Sequence, residues 1–237
     1  MKVVIFYVMT LLMSALVFAD EKSLYEFSWL DKDKEVYVLQ NRKFRKDGSL
    51  YVGGTIAKTL SGAFIDSYGG TVRGGYFLKE DWGFEFVYGK NSGQENDTAN
   101  GVKEQGTVPF YRKIDSYTGA MLMWSPFYSK INTFNRIFYF DWMFGLGVAN
   151  IKTLDNRNKF DTSSTDFNQL TSENSFGALW NTGFRFYISE NWSLRLDFTG
   201  LNYKAAKTKK AQGAGSTTTA DKIFSNYDLG LGLNYTF

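Results

Sequence analysis

From Gly48 to Phe237, apolar and polar side chains alternate in stretches of about ten residues, and this period of two constrains the fold more than any other feature. Successive side chains of a strand point to opposite faces, so each stretch reads as a strand with one greasy side and one polar side. In the last stretch Tyr227, Leu229, Leu231, Leu233, Tyr235 and Phe237 share one face, and Asn226, Asp228, Gly230, Gly232, Asn234 and Thr236 the other. Trp82, Phe84, Phe86 and Tyr88 oppose Gly83, Glu85 and Gly89. Trp180, Thr182, Phe184 and Phe186 oppose Asn181, Gly183 and Arg185, while Trp192, Leu194, Leu196 and Phe198 oppose Ser193, Arg195, Asp197 and Thr199. Past Ala19 no apolar run approaches the roughly 20 residues of a membrane helix, so any later crossing of a bilayer falls to strands.

Counting these stretches predicts about eight strands, near 48–59, 66–78, 82–90, 113–124, 135–148, 175–188, 192–203 and 222–237. In 113–124 the apolar face is ambiguous, because Tyr117, Met121 and Met123 compete with Ala120, Leu122 and Trp124. Tight turns at 79–81 and 189–191 alternate with long polar loops at 91–112, 150–174 and 204–221. Pro126 places a somewhat longer turn at 125–134. Short connections at one end and long ones at the other describe an all-β, antiparallel up-and-down barrel, with both ends of the chain on the short-turn side. The hairpins 76–84 and 186–194 each carry an aromatic pair, a polar turn and a Trp just beyond it, and are expected to be one unit used twice.

Alternation alone does not distinguish a membrane barrel from a soluble one; charge placement does. A soluble sheet covers its wet face with lysine and glutamate, whereas here lysines gather at strand ends and loops, as at Lys58, Lys90, Lys204 and Lys222. Within the strands the polar face is mostly Gly, Ser, Thr and Asn, with a few charges of both signs: Arg73, Arg185 and Arg195 against Glu85, Asp141, Asp197 and Asp228. Paired charges among small residues suit a cramped lumen, where an unpaired ion is costly. These seven residues are expected to form a charge network across the lumen. The apolar face then meets outer-membrane lipid, with Trp82, Trp124 and Trp192 as amphipathic rings at the interface.

Both ends of the chain agree. Lys2, an apolar run to Phe18 and the small-residue close at Ala19 read as a cleavable export signal, 1–19, followed by a periplasmic segment, 20–47, and a barrel, 48–237. The terminal Gly232, Tyr235 and Phe237, spaced glycine, two residues, aromatic, one residue, aromatic, resemble the last-strand signal of outer-membrane barrels. That resemblance implies recognition by the barrel assembly machinery during insertion; Gly230 stands where a polar residue is usual. The stretch Val38-Leu39-Gln40-Asn41-Arg42-Lys43-Phe44, followed at once by strands, is similar to small, largely uncharacterised outer-membrane β-barrel domain proteins of predatory and gliding Gram-negative bacteria. This resemblance implies location and carries no catalytic residues.

The chain has neither histidine nor cysteine, which removes imidazole bases, thiolate nucleophiles, disulfides and the usual zinc ligands. No cofactor or metal is expected. Asp66 beside Ser67 and Asp115 beside Ser116 make no dyad, since strand neighbours face opposite ways. The net charge of +3 is spread along the chain, which argues against nucleic acid as a partner. The favoured function is a non-enzymatic structural or surface-interaction barrel whose loops meet any surface ligand. A small-solute pore is the alternative, weakened because about eight strands leave an interior only wide enough for its own side chains. The basic cluster Arg42, Lys43, Arg45 and Lys46 is expected in a solvated linker, with contact to the cell wall or a periplasmic partner, or a plug for the barrel mouth, as alternatives.

Overall fold

The structure is a computed structural model that describes residues 42–134, 136–160, 169–210 and 217–237. The expected export signal, residues 20–41 and the central parts of two loops lie outside the described residues. Eight strands follow one another: β1 (Leu50–Thr59), β2 (Ile65–Phe77), β3 (Trp82–Glu95), β4 (Arg112–Thr133), β5 (Arg136–Asp155), β6 (Thr171–Tyr187), β7 (Trp192–Lys210) and β8 (Thr217–Thr236). Each pairs antiparallel with the next, and β8 returns to β1 through a ladder from Tyr51↔Thr236 to Thr59↔Asp228, closing the ring. Among the described residues every strand is paired on both sides around the ring, as a sheet in hydrocarbon requires, and single-sided pairing is confined to the strand extensions at the two ends. The compact unit begins at Arg42, six residues ahead of the expected barrel boundary.

The strands are longer than the alternation predicts, chiefly at the loop end, where the polar continuations of β3, β5, β6, β7 and β8 stay paired beyond the apolar band. The expected loop 91–112 therefore starts only after Glu95, and it folds into a helix, α1 (Asp97–Glu104), capped by the Asn96 side chain on the Ala99 N–H at 3.0 Å. The expected turn at 125–134 is a correction of the opposite kind. β4 runs through Pro126 to Thr133, and Pro126 sits at a register shift between Trp124 and Phe127 on an edge that β3 has already left, where a missing N–H is tolerated. The ambiguous face of β4 resolves with Tyr117, Met121 and Met123 inward and Leu122 and Trp124 outward. The turns after β2 and β6 close identically: Leu78 and Lys79 N–H donate to Trp82 O, and Ile188 and Ser189 N–H to Trp192 O.

The outer surface is an apolar band with Ile56, Phe86, Leu146 and Phe176 well exposed. At the turn end it finishes in rings: Trp82 faces Trp124 at 5.9 Å, Trp142 lies 4.9 Å from Phe144, and Trp192 meets Tyr235 at 5.1 Å. Two outward indoles have polar partners, Trp142 Nε1 donating to Thr182 and Trp180 Nε1 to Asn202, both at 3.0 Å. In a lipid-facing band an unsatisfied N–H would be costly.

Candidate functional site: the lumen and its mouths

Inward-facing glycines make room for large lumen side chains. The Tyr51 ring lies on Gly75, where a Cβ would come within 2.4 Å of it, and Gly232 is held against β1, where a Cβ would come within 2.5 Å of the Gly54 carbonyl. Tyr51 then donates from its hydroxyl to Glu85 Oε2 at 2.5 Å. Glu85 also receives Arg73 at 2.8 Å and both terminal nitrogens of Arg195. Arg195 turns its Nε to Asp197 at 2.7 Å, and Asp197 lies 3.7 Å from Arg73. Asn181 and Thr199 complete the layer through Arg195, Arg73 and Asp197. Glu85 and Arg195 are wholly buried, so at this level side chains fill the lumen.

Of the seven residues expected in the network, the structure thus joins Arg73, Glu85, Arg195 and Asp197. The other three are corrections. Arg185 makes no ion pair within 4 Å among the described residues; it stacks over Tyr51 at 4.5 Å and Phe77 at 5.2 Å, with Nε and Nη2 lacking hydrogen-bond partners. Asp141 is its cross-strand neighbour, yet the carboxylate is taken by Lys46 Nζ at 2.8 Å and the Tyr187 hydroxyl at 2.5 Å. Asp228 accepts from Thr59 at 2.6 Å and Asn226 at 3.0 Å rather than from an arginine.

The basic cluster is not a solvated linker: among the described residues it closes the turn-end mouth. Arg42 reaches Glu80 and Asp81 at 3.3 Å, Phe44 stacks on Tyr187 at 4.6 Å, and Lys46 is buried against Asp141 and Ser125; Lys43 and Arg45 stay exposed. Burial outweighs Asp141 and lowers the Lys46 pKa below its ordinary value. The sequence placed Lys46 in the basic cluster, with a plug for the mouth as one reading, but not as the partner of Asp141, because it precedes the first strand and carries no alternation.

At the loop end a second cluster ties strands together. Arg112 bridges Asp155 at 2.7 Å and Glu173 at 2.9 Å, and Arg157 binds Asp155 at 2.7 Å and also Glu173. Asp155 first, then Glu173, hold the Arg157 proton above the usual arginine range despite partial burial. Beside this cluster is a cavity of about 190 Å³ lined by Ser61, Tyr111, Arg112, Tyr203, Phe224 and Asn226. Asp66 is exposed and Ser67 buried, so that pair is kept apart; Asp115 and Ser116 are both half-buried at a register shift, with Asp115 3.9 Å from Lys152. The interface rings Trp82, Trp124 and Trp192 are 42–48% exposed at the turn end, and the final Phe237 N–H donates to Leu50 O at 2.8 Å.

An apolar outer wall around a closed, charge-paired interior defines a transmembrane β-barrel. The chain belongs to the outer membrane protein beta-barrel domain family, whose model matches residues 40–237. Among solved structures it is similar to OprG from Pseudomonas aeruginosa, with 15% identity, a TM-score of 0.50, and 82% of this chain and 98% of that one covered. Neisserial surface protein A also matches, at 14% identity and TM-score 0.48 over 81% of this chain and 100% of that one. No curated protein matches the chain.

Proposed function

We propose that this is a non-enzymatic outer-membrane barrel that presents its loop end to the cell's surroundings, in a structural or surface-interaction role. The observation that carries the reading is the side-chain layer of Glu85, Arg73, Arg195, Asp197 and Tyr51, each 0–2% exposed, across the middle of the lumen. A solute has no open route past it, which disfavours the pore alternative. The strands meanwhile continue past the apolar band: β7 and β8 remain paired to Lys210↔Thr217, about eight residues beyond Asn202, which at ~3.4 Å per residue and a tilt near 40° raises the hairpin roughly 20 Å. Rigid strands that lift loops off a membrane suit recognition better than transport.

The same proposal includes a cleavable export signal at 1–19, insertion guided by Gly232, Tyr235 and Phe237, and kinship with barrels of predatory and gliding bacteria. Purified protein in planar bilayers is expected to pass no steady current; a sustained ionic conductance would overturn the closed reading. Protease added to intact cells should cut the 204–221 region, and cleavage only after permeabilisation would reverse the orientation.

A further inference from the structure

The hairpin of β4 and β5 differs from the two other turns at its end of the barrel. It continues seven residue pairs, Phe127↔Trp142 to Thr133↔Arg136, beyond the last β3–β4 pair, Trp82↔Trp124. Its outward face carries Phe127, Ile131, Phe138 and Phe140, interrupted by Ser129 and ending in Thr133 and Arg136, with Phe134 fully exposed at the tip. Residues 126–140 contain no acid, only Lys130 and Arg136, both exposed, whereas the short turns carry Glu80, Asp81 and Glu190.

We propose that this hairpin is immersed in the phospholipid leaflet at the turn end, its outward face against acyl chains and Arg136, on that same face, on an anionic headgroup phosphate, while Lys130, paired with Tyr139, lies on the opposite face. Continuity with the lipid-facing wall carries the argument. Phe140 lies opposite Phe186, on the level of the β6 apolar run, and its ring packs 6.1 Å from Phe184 and 5.6 Å from Phe186. Phe127 packs 5.9 Å from Trp142, so the aromatic surface passes from wall to hairpin without a break. Lengths agree: the outward runs Phe176–Phe186 on β6 and Tyr227–Phe237, from β8 to the residue just past its end, each cover ten residue steps, about 26 Å along the membrane normal at ~3.4 Å per residue and ~40° tilt, near the ~25 Å of an outer-membrane apolar band. On β5 the run from Val148 reaches that length only when Phe140 and Phe138 are counted, and Arg136 then falls two residues further, at phosphate depth. Aromatic rings with a cation at their polar edge fit a lipid interface.

Since the chain has no cysteine, single sites can be spin-labelled cleanly. Ile131→Cys and Phe138→Cys, each refolded into vesicles of phosphatidylethanolamine and phosphatidylglycerol and selected for folded gel mobility, are compared with Leu146→Cys on the barrel wall and Glu190→Cys in a short turn. Labels at 131 and 138 should collide with oxygen as the label at 146 does, and lose the nickel-chelate collisions seen at 190. Nickel accessibility equal to that at 190 would overturn the proposal, exposing the hairpin as an aqueous arm for a protein partner. Spin–spin broadening at 138 would also overturn it, in favour of a second copy of the chain. In the Phe138→Cys background, Arg136→Glu should raise nickel collisions; an unchanged depth would refute the phosphate contact.

Discussion

Two clusters of arginines and carboxylates hold this barrel, and they differ in one respect. In the mid-lumen cluster Glu85, Arg73, Arg195 and Asp197 are all at most 2% exposed, whereas at the loop end Arg157 and Glu173 keep 23% and 26% of their side chains in water. The number of pairs is similar in both, but the penalty for breaking one is not. A buried charge that loses its partner cannot be rescued by solvent, and a surface charge can. The lumen cluster, together with the equally buried Arg112–Asp155 pair of the loop end, therefore sets stability, while the part-exposed Arg157 and Glu173 set the local geometry of the strand extensions.

Glu85→Ala tests this most severely, because it strips the carboxylate from Arg73, Arg195 and Tyr51 together. Urea unfolding in vesicles should show a loss of about 3–5 kcal/mol. Adding Arg195→Leu to Glu85→Ala should recover part of that loss by removing one stranded cation; a double variant no better than the single would mean that packing, not charge, dominates. Arg195→Leu alone leaves Glu85 with Arg73 and Tyr51 and should cost about 3 kcal/mol, seen as a lower temperature in heat-modified gel mobility. Lys46→Met deprives Asp141 of its cation but keeps the Tyr187 hydroxyl, for a loss of about 1–3 kcal/mol and faster trypsin cleavage at the exposed Arg45. Arg157→Ala should cost no more than about 1 kcal/mol, and raised salt should shrink the difference further. A loss at Arg157 equal to that at Arg195 would break the comparison.

The alternation was legible because lipid and lumen each accept one kind of side chain, so the inward set Glu85, Arg195 and Asp197 could be read directly. Partners were not legible. Which acid meets Arg73 depends on strand register and stagger, and on glycines such as Gly75 that let Tyr51 reach over β2 to Glu85 on β3. Arg185 illustrates the limit: its cross-strand neighbour is Asp141, yet Lys46 takes that carboxylate from a segment with no periodic signal. The extended hairpin was hidden by Pro126, which ends a strand in most contexts and here marks a bulge. Strand ends at the loop side were missed because polar residues there look like loop once lipid no longer enforces alternation.

Among the described residues, Lys46, Arg73, Arg112, Arg185 and Arg195 bring five buried positive side chains into the interior, and Glu85, Asp141, Asp155, Asp197 and Asp228 bring five negative ones. Such an electrically balanced shaft draws no counterions inward and has no surface for them to screen. The body of the molecule should then behave the same in dilute and brackish water, leaving only its outermost tips to register the ionic strength of the habitat.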